Sequence, residues 1–296
     1  MEITCRTVQG RLLLRPSSVL SAVTLGVLAR AARRSAVEVH AYVFLSNHYH
    51  LLVSVSSAQQ LAVFMTYLNS NLAREAGRLV RWREKFWGRR YQAILVSAEE
   101  EAQVERLAYL LAHGVKEGLV ASPLDWPGVH CARVLAEGAV ACGLWHDRTQ
   151  ESKARRKRLP HDPDAFVERE ELALVPLPCW QSLDATVHRE RIQRMIGEIE
   201  AAAWRCQEAT GRPPLGRDAV YRQNPHLEPS RVKKGPAPLV HAVRPEVRRA
   251  LRGAYLAFLD AYQRAAGRLR AGLRTVEFPE GAFPPAFPVR TAARTG

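Results

Sequence analysis

His40 to Val55 reads HAYVFLSNHYHLLVSV. Two runs rich in apolar, β-branched and aromatic residues flank Ser46 and Asn47, which is the pattern of a β-hairpin with arms over Val37 to Leu45 and His48 to Val55. Strand side chains alternate, so His48 and His50 emerge on one face, roughly 6 to 7 Å apart at the backbone. Tyr49, Leu51 and Val53 then face the other way, as core residues. On spacing alone the His-x-His pair fits either a cation held between two imidazoles or two histidines decorating a polar face.

Working outward, Ile3 to Gln9 reads as a strand and Ser17 to Arg34 as a helix. Leu61, Phe64, Met65, Leu68 and Leu72 recur at helical spacing through Ala58 to Leu79, and Tyr91 to Ser97 alternates as a further strand. Glu99 to Glu101 open a helix predicted to run to about Val115 and to stop near Gly118. The order βαββαβα predicts an α+β fold, a ferredoxin-like split βαβ sandwich with helices on one sheet face and the other face free for chemistry. Glu151 to Asp164, with Lys153, Arg155, Arg156, Lys157 and Arg158 followed by Pro160 and Pro163, reads as an exposed linker. It divides a domain at 1–150 from a basic extension at 151–296. Two helical stretches, Leu183 to Thr210 and Arg244 to Arg274, flank a Pro-rich segment from Arg212 to Pro238, so the extension is expected to be mainly α-helical.

Of the 296 residues, 43 are Lys or Arg and 29 Asp or Glu, a formal charge of +14. That imbalance points to a polyanionic partner, nucleic acid first. No Gly-x-x-x-x-Gly-Lys-Ser/Thr loop and no Gly-x-Gly-x-x-Gly turn occurs, which removes nucleotide-driven motors and dinucleotide enzymes. Val19 to Ala32 is only 14 residues long and contains Arg30, so it neither spans a bilayer nor directs export. Five cysteines without a Cys-x-x-Cys pair fit a reducing cytoplasm and no zinc finger.

Two further stretches carry chemistry. In the helix around residue 109, Val104, Leu107, Ala108, Leu111 and Val115 form an apolar stripe, and Arg106, Tyr109, His113 and Lys116 share the opposite surface. A phenol is a poor nucleophile until positive charge stabilises its phenolate, which these neighbours could do; a solvated amphipathic face carrying a tyrosine is the plainer reading. The segment RWREKFWGRRY interleaves Arg81, Arg83, Lys85, Arg89 and Arg90 with Trp82, Phe86, Trp87 and Tyr91. It offers phosphate contacts and faces for stacking unpaired bases, or else aromatic core anchors with snorkelling arginines.

The hairpin sequence resembles the HUH motif of single-tyrosine transposases, particularly the REP-associated tyrosine transposases. The likeness continues through Phe86 to Val96 (FWGRRYQAILV), similar to that family's W-x-G-R-Y block. It extends through Ala108 to Val120 (AYLLAHGVKEGLV), similar to its R-Y-I-H-x-N-P-x-x-x-G-L-V helix. The three blocks cover about residues 1–135. The resemblance implies an HUH-type fold in which His48 and His50 ligate Mg²⁺ or Mn²⁺ and Tyr109 is the nucleophile. His113 stands where the family usually has Asn as third ligand, a change that favours Mn²⁺ over Mg²⁺. Gly114 replaces the usual Pro, and Ser46 stands where a Pro precedes Asn47.

The function implied is a metal-dependent single-stranded DNA endonuclease and strand transferase that forms a 5′-phosphotyrosine at hairpin-bearing ends. The Arg81–Tyr91 segment, Arg106 and Lys116 would hold the DNA, and the protein would act as a monomer or homodimer in the nucleoid-associated cytoplasm. A domesticated, non-catalytic binder of DNA or RNA hairpins is the main alternative. A phosphodiesterase in which water attacks in place of Tyr109 is the third.

Overall fold

The computed structural model describes residues 1–157, 162–229 and 238–287. The elements are β1 (Glu2–Arg6), α1 (Ser18–Ser35), β2 (Glu38–Phe44), β3 (His48–Ser54), α2 (Ala58–Leu79), β4 (Gln92–Val96), α3 (Glu100–Leu111), α4 (Ala132–Glu137), β5 (Ala141–His146), α5 (Arg148–Arg156), β6 (Val167–Leu172), α6 (Ala185–Thr210), α7 (Arg217–Arg222), β7 (Val240–His241) and α8 (Pro245–Arg270). Ser17 and Ser57 cap α1 and α2, each side chain accepting from a backbone N–H three residues on.

The main sheet has the order β2-β3-β1-β4-β7. Its first four strands are antiparallel, and with two intervening helices they make the split βαβ arrangement the sequence predicts. The register sets Ile3 against Leu51 and Cys5 against Tyr49, a face buried with Phe64, Met65, Leu68 and Leu72 of α2 and Val27 and Leu28 of α1. Thr4 lies across from His50 and Arg6 across from His48, so Glu2, Thr4, Arg6 and both imidazoles leave the opposite face together.

That second face is not open. Leu52, Ala41, Val43 and Ile94 lie on it and are buried, and such an apolar surface has to be covered. Leu107, Leu110 and Leu111 of α3, Val129 and the Trp126 indole, which donates to the Phe44 carbonyl at 3.0 Å, close over it. The face of α3 that reads as solvent-directed, with Arg106, Tyr109 and His113, is thereby turned toward the sheet. The helix also stops at Leu111, four residues short of the predicted Val115, leaving His113 in the turn that follows.

Two strands in the second half escape the sequence reading. β6 pairs with β5 across the expected boundary at 150, and β7 adds to β4 in parallel, with Val96 beside His241. Leu177, Trp180 and Ile192 enter the same core. The expected linker is helical through Arg156, and Arg158 and Pro160 lie outside the described residues. No described helix is long and apolar enough to cross a membrane.

The β5–β6 hairpin sits against α1 through two glycines placed back to back. A Cβ on Gly26 would collide with the Leu144 backbone, and one on Gly143 with the Gly26 backbone nitrogen. Backbone cannot yield as a side chain does, so Gly143→Ala is expected to destabilise the fold by about 2 kcal/mol or more. A lowered urea midpoint with unchanged slope checks it; an unchanged midpoint contradicts the packing.

Candidate functional site

The short turn between β2 and β3 holds Asn47, whose Nδ2 donates to the Gly10 carbonyl at 3.1 Å. That bond fixes the amide orientation and leaves Oδ1 to accept from His48 Nδ1 at 2.6 Å. His50 Nδ1 lies 2.8 Å from Glu2 Oε1. His113 Nδ1 lies 3.2 Å from the Tyr109 carbonyl, one turn back. All three partners are acceptors, so each imidazole carries a proton on Nδ1, which leaves Nε2 as the nitrogen that can offer a lone pair to a metal ion.

Those lone pairs face one another. His48 Nε2 and His113 Nε2 are 3.2 Å apart, and ligand nitrogens of His48, His50 and His113 all lie within 4.8 Å of one another. Two unprotonated nitrogens at that separation repel unless a cation lies between them. Each ring is also oriented by an outer hydrogen bond, as metal-ligating histidines usually are. The donor set therefore fits a divalent metal ion. Burial, then the neighbouring rings of His50 and His113, and Arg6 hold His48 well below the ordinary imidazole value. Burial and then His50 bring His113 down to about 4. Neutral rings are the forms that bind metal.

Tyr109 joins this cluster within one chain. Its ring centroid is 4.7 Å from that of His113 and 5.5 Å from that of His50. The Arg106 guanidinium sits 5.0 Å and the Lys116 ammonium 5.1 Å from the phenol ring. These cations do less than the sequence suggests. Arg106 bonds Glu105 at 2.7 Å and lies 3.8 Å from Glu2, and burial, Glu2 and Glu117 push the phenol above its ordinary value despite Arg106.

Glu2 and His241 are the residues the sequence reading misses. Glu2 is buried, and His241 Nε2 lies 2.8 Å from its Oε2. Burial disfavours its charge, but the close contact with His241 and the hydrogen bond from His50 outweigh that and hold the carboxyl far below the usual range. The polar-apolar alternation of Glu2, Ile3, Thr4 and Cys5 could have shown that Glu2 shares the histidine face. Nothing in the sequence points to His241, which arrives on a two-residue strand.

The basic segment abuts the cluster at β1, where Gly88 N donates to the Arg6 carbonyl at 2.9 Å. Arg81, Arg83, Lys85, Arg89 and Arg90 are exposed. The indoles are packed into protein. Trp87 donates to the Asn69 carbonyl at 2.9 Å and sits edge-on to Tyr49, and Trp82 lies between Arg11 and His226. Tyr91 is half-buried under Arg90. Gly114 has φ +93°, a conformation closed to proline, which accounts for the departure at that position.

With the geometry in view, residues 18–109 match the family profile described as "Transposase IS200 like". Over this segment the chain is similar to IS200-like transposases. The match contains the His40–Val55 and Phe86–Val96 blocks, ends at Tyr109 just inside the third, and supports a transposase-like, DNA-processing domain. No curated protein matches the chain. Among solved structures, a REP-associated tyrosine transposase bound to a REP hairpin is similar at 18% identity, over 46% of this chain and 79% of that one, with a TM-score of 0.38. A candidate transposase from Deinococcus radiodurans R1 is similar at 18% identity, over 36% and 86%, with a TM-score of 0.29. The fold assignment rests on the strand order described above.

Folding holds His113 and His130 neutral, both at about 4 against an ordinary 6.5. As pH falls below about 6.5 the unfolded chain therefore takes up protons first, and metal-free stability is lost down to about pH 4. His113→Asn removes one titrating group and is expected to shallow that slope by up to about 1.4 kcal/mol per pH unit. Urea midpoints in chelator across this range check it; parallel slopes for the two proteins contradict the assignment.

Proposed function

We propose that the transposase domain is a single-stranded DNA endonuclease and strand transferase with Tyr109 as nucleophile. The observation that carries this reading is the convergence of the phenol and three lone-pair-bearing imidazoles in one chain, at ring distances of 4.7 and 5.5 Å. A divalent cation held by His48, His50 and His113, with Mn²⁺ favoured by the three nitrogen donors, would supply Lewis-acid polarisation of a phosphate oxygen. Asn47, Glu2 and the Tyr109 carbonyl fix the ring orientations that such a site needs.

In the reaction the Tyr109 oxygen gives up its proton and bonds to phosphorus, the bond from phosphorus to the 3′ oxygen breaks, and that oxygen leaves as a 3′-hydroxyl. A 5′-phosphotyrosine remains. It conserves the ester energy, so the 3′-hydroxyl of another strand can reverse the step and join without ATP. Arg106 flanks the ring and limits the unfavourable field of Glu2 and Glu117. The exposed cations of the Arg81–Tyr91 segment and Lys116 would contact the phosphates of a hairpin-bearing end. In this reading residues 1–150 hold every reacting group, and the extension serves them from outside, through His241 on Glu2.

Labelled hairpin DNA with an unpaired flank, mixed with protein and Mn²⁺, is expected to yield a denaturation-resistant adduct. Tyr109→Phe should lower its formation by about a thousandfold or more, with hairpin affinity within about threefold. An adduct that survives the substitution contradicts the assignment. Scission with free phosphate ends and no adduct would favour attack by water, and tight binding indifferent to metal without scission would favour a binding protein.

A further inference from the structure

Arg6 is an arginine with no counter-charge beside the histidine cluster. It lies across β1 and β3 from His48, on the same sheet face. It is half-buried, its Nε is shut off from solvent, and among the described residues that nitrogen has no hydrogen-bond partner and the side chain no ion pair. Burial, and next the like charge of Arg89, push its pKa down. Arg89 is exposed, and its side chain donates only to the amide oxygen of Gln92, at 3.0 Å.

Several other partly buried arginines have a carboxylate partner, although Arg30 and Arg106 also leave Nε without a hydrogen bond and Arg15 makes no ion pair among the described residues. Arg30 meets Glu168 and Glu170, Arg106 meets Glu105, and Arg148 meets Glu75 and Glu151. A buried donor without an acceptor is costly, and two adjacent guanidinium groups without an anion add repulsion. The group is also supported from behind: a Cβ on Gly10 would stand 3.2 Å from Arg6 Nε and Nη2, so the Gly10 backbone lies close against it. The Gly10 carbonyl in turn holds Asn47, which orients His48.

We propose that Arg6 and Arg89 form an anion site that grips a backbone phosphate of the unpaired substrate strand at the His48 end of the cluster, away from Tyr109. The inference rests on the nuclease reading above and adds where the strand is held. A guanidinium fork matches two non-bridging phosphate oxygens, and an incoming phosphate at the exposed edge of the group would offset both charges. Tyr109 packs edge-on against His50 and His113, so a strand gripped at Arg6 meets the phenol from the other side of the cluster. The gripped phosphate is thereby a neighbour of the scissile one, on the leaving strand.

The test uses the full chain carrying Tyr109→Phe, so that binding is read without cleavage. Fluorescence anisotropy with Mn²⁺ gives the affinity for a labelled hairpin whose unpaired flank carries one methylphosphonate, moved position by position. At one or two adjacent positions the neutral linkage is expected to weaken binding about tenfold, and less than about twofold once Arg6→Gln is added. Arg6→Gln should also reduce the salt slope by about one. Losses that multiply at every position overturn the proposal.

Arg6→Lys, which keeps the charge, should retain the salt slope while losing part of the affinity. Arg89→Gln alters only an exposed side chain and is expected to mark the same positions, so the cycle can be read even if Arg6 variants do not fold; multiplicative losses there also overturn it. Adduct formation by the protein with Tyr109 intact separates the two readings. Coupling without an adduct sinks the nuclease reading and keeps the anion site, an adduct with multiplicative losses sinks the anion site alone, and absence of DNA binding overturns both.

Discussion

The site depends on a repulsion. Three imidazoles are turned so that their ligand nitrogens approach one another, with the Nε2 atoms of His48 and His113 at 3.2 Å. Each could relieve the contact by rotating, and each is prevented by a hydrogen bond on its far nitrogen, to Asn47, Glu2 or the Tyr109 carbonyl. Those three anchors come from the hairpin turn, the first strand and the helix that covers the sheet. Correct assembly of the split βαβ unit therefore creates a place where a cation is favourable, and binding energy that a loose site would lose to ordering is available there.

Glu2 is the most connected of the anchors. A carboxylate so deeply buried is tolerated only with several donors, and here they are His50 on β3 and His241 on β7, with Arg106 on α3 at 3.8 Å. Removing any one leaves part of a buried charge uncompensated. The pairing of β7 with β4 is only two residues long, so His241 stays at Glu2 only while that short edge holds. A structural change at the chain's far end thus reaches the orientation of a proposed metal ligand through one carboxylate. This is a physical link between the extension and the domain that composition alone did not suggest.

Much of this was legible in the sequence because local pattern and tertiary structure agree there. Alternation in His40–Val55 and the periodicity of Leu61, Phe64, Met65, Leu68 and Leu72 are period-2 and period-3.6 signals that a sheet and its covering helix must obey. The same logic put His48 and His50 on one face and Tyr109 near His113. It failed where a decision needs a neighbour. Arg106, Tyr109 and His113 form a polar stripe that reads as solvent-facing, yet the apolar residues interspersed with the histidines draw α3 onto that face. β7 carries no strand pattern of its own and exists because β4 offers it an edge. Trp82 and Trp87 were ambiguous between stacking platforms and anchors, since an indole serves both; their hydrogen bonds and ring contacts are made within the protein.

Counting charge around Tyr109 shows why the proposed nucleophile needs the cation. Arg106 and Lys116 bring two positive charges, while Glu2, Glu105 and Glu117 bring three negative ones. Without metal the balance opposes the phenolate, and burial opposes it further, so the phenol stays protonated at neutral pH. His48, His50 and His113 would hold a divalent ion whose positive charge would offset this balance at the phenol oxygen. Arg106 is therefore largely offset by Glu105, its neighbour in sequence, and by Glu2, a carboxylate that only the fold brings near it. In the proposed reaction a cation held by the three imidazoles would supply the positive charge that Arg106 and Lys116 do not, so the proposed chemistry would depend on metal through electrostatics as well as coordination.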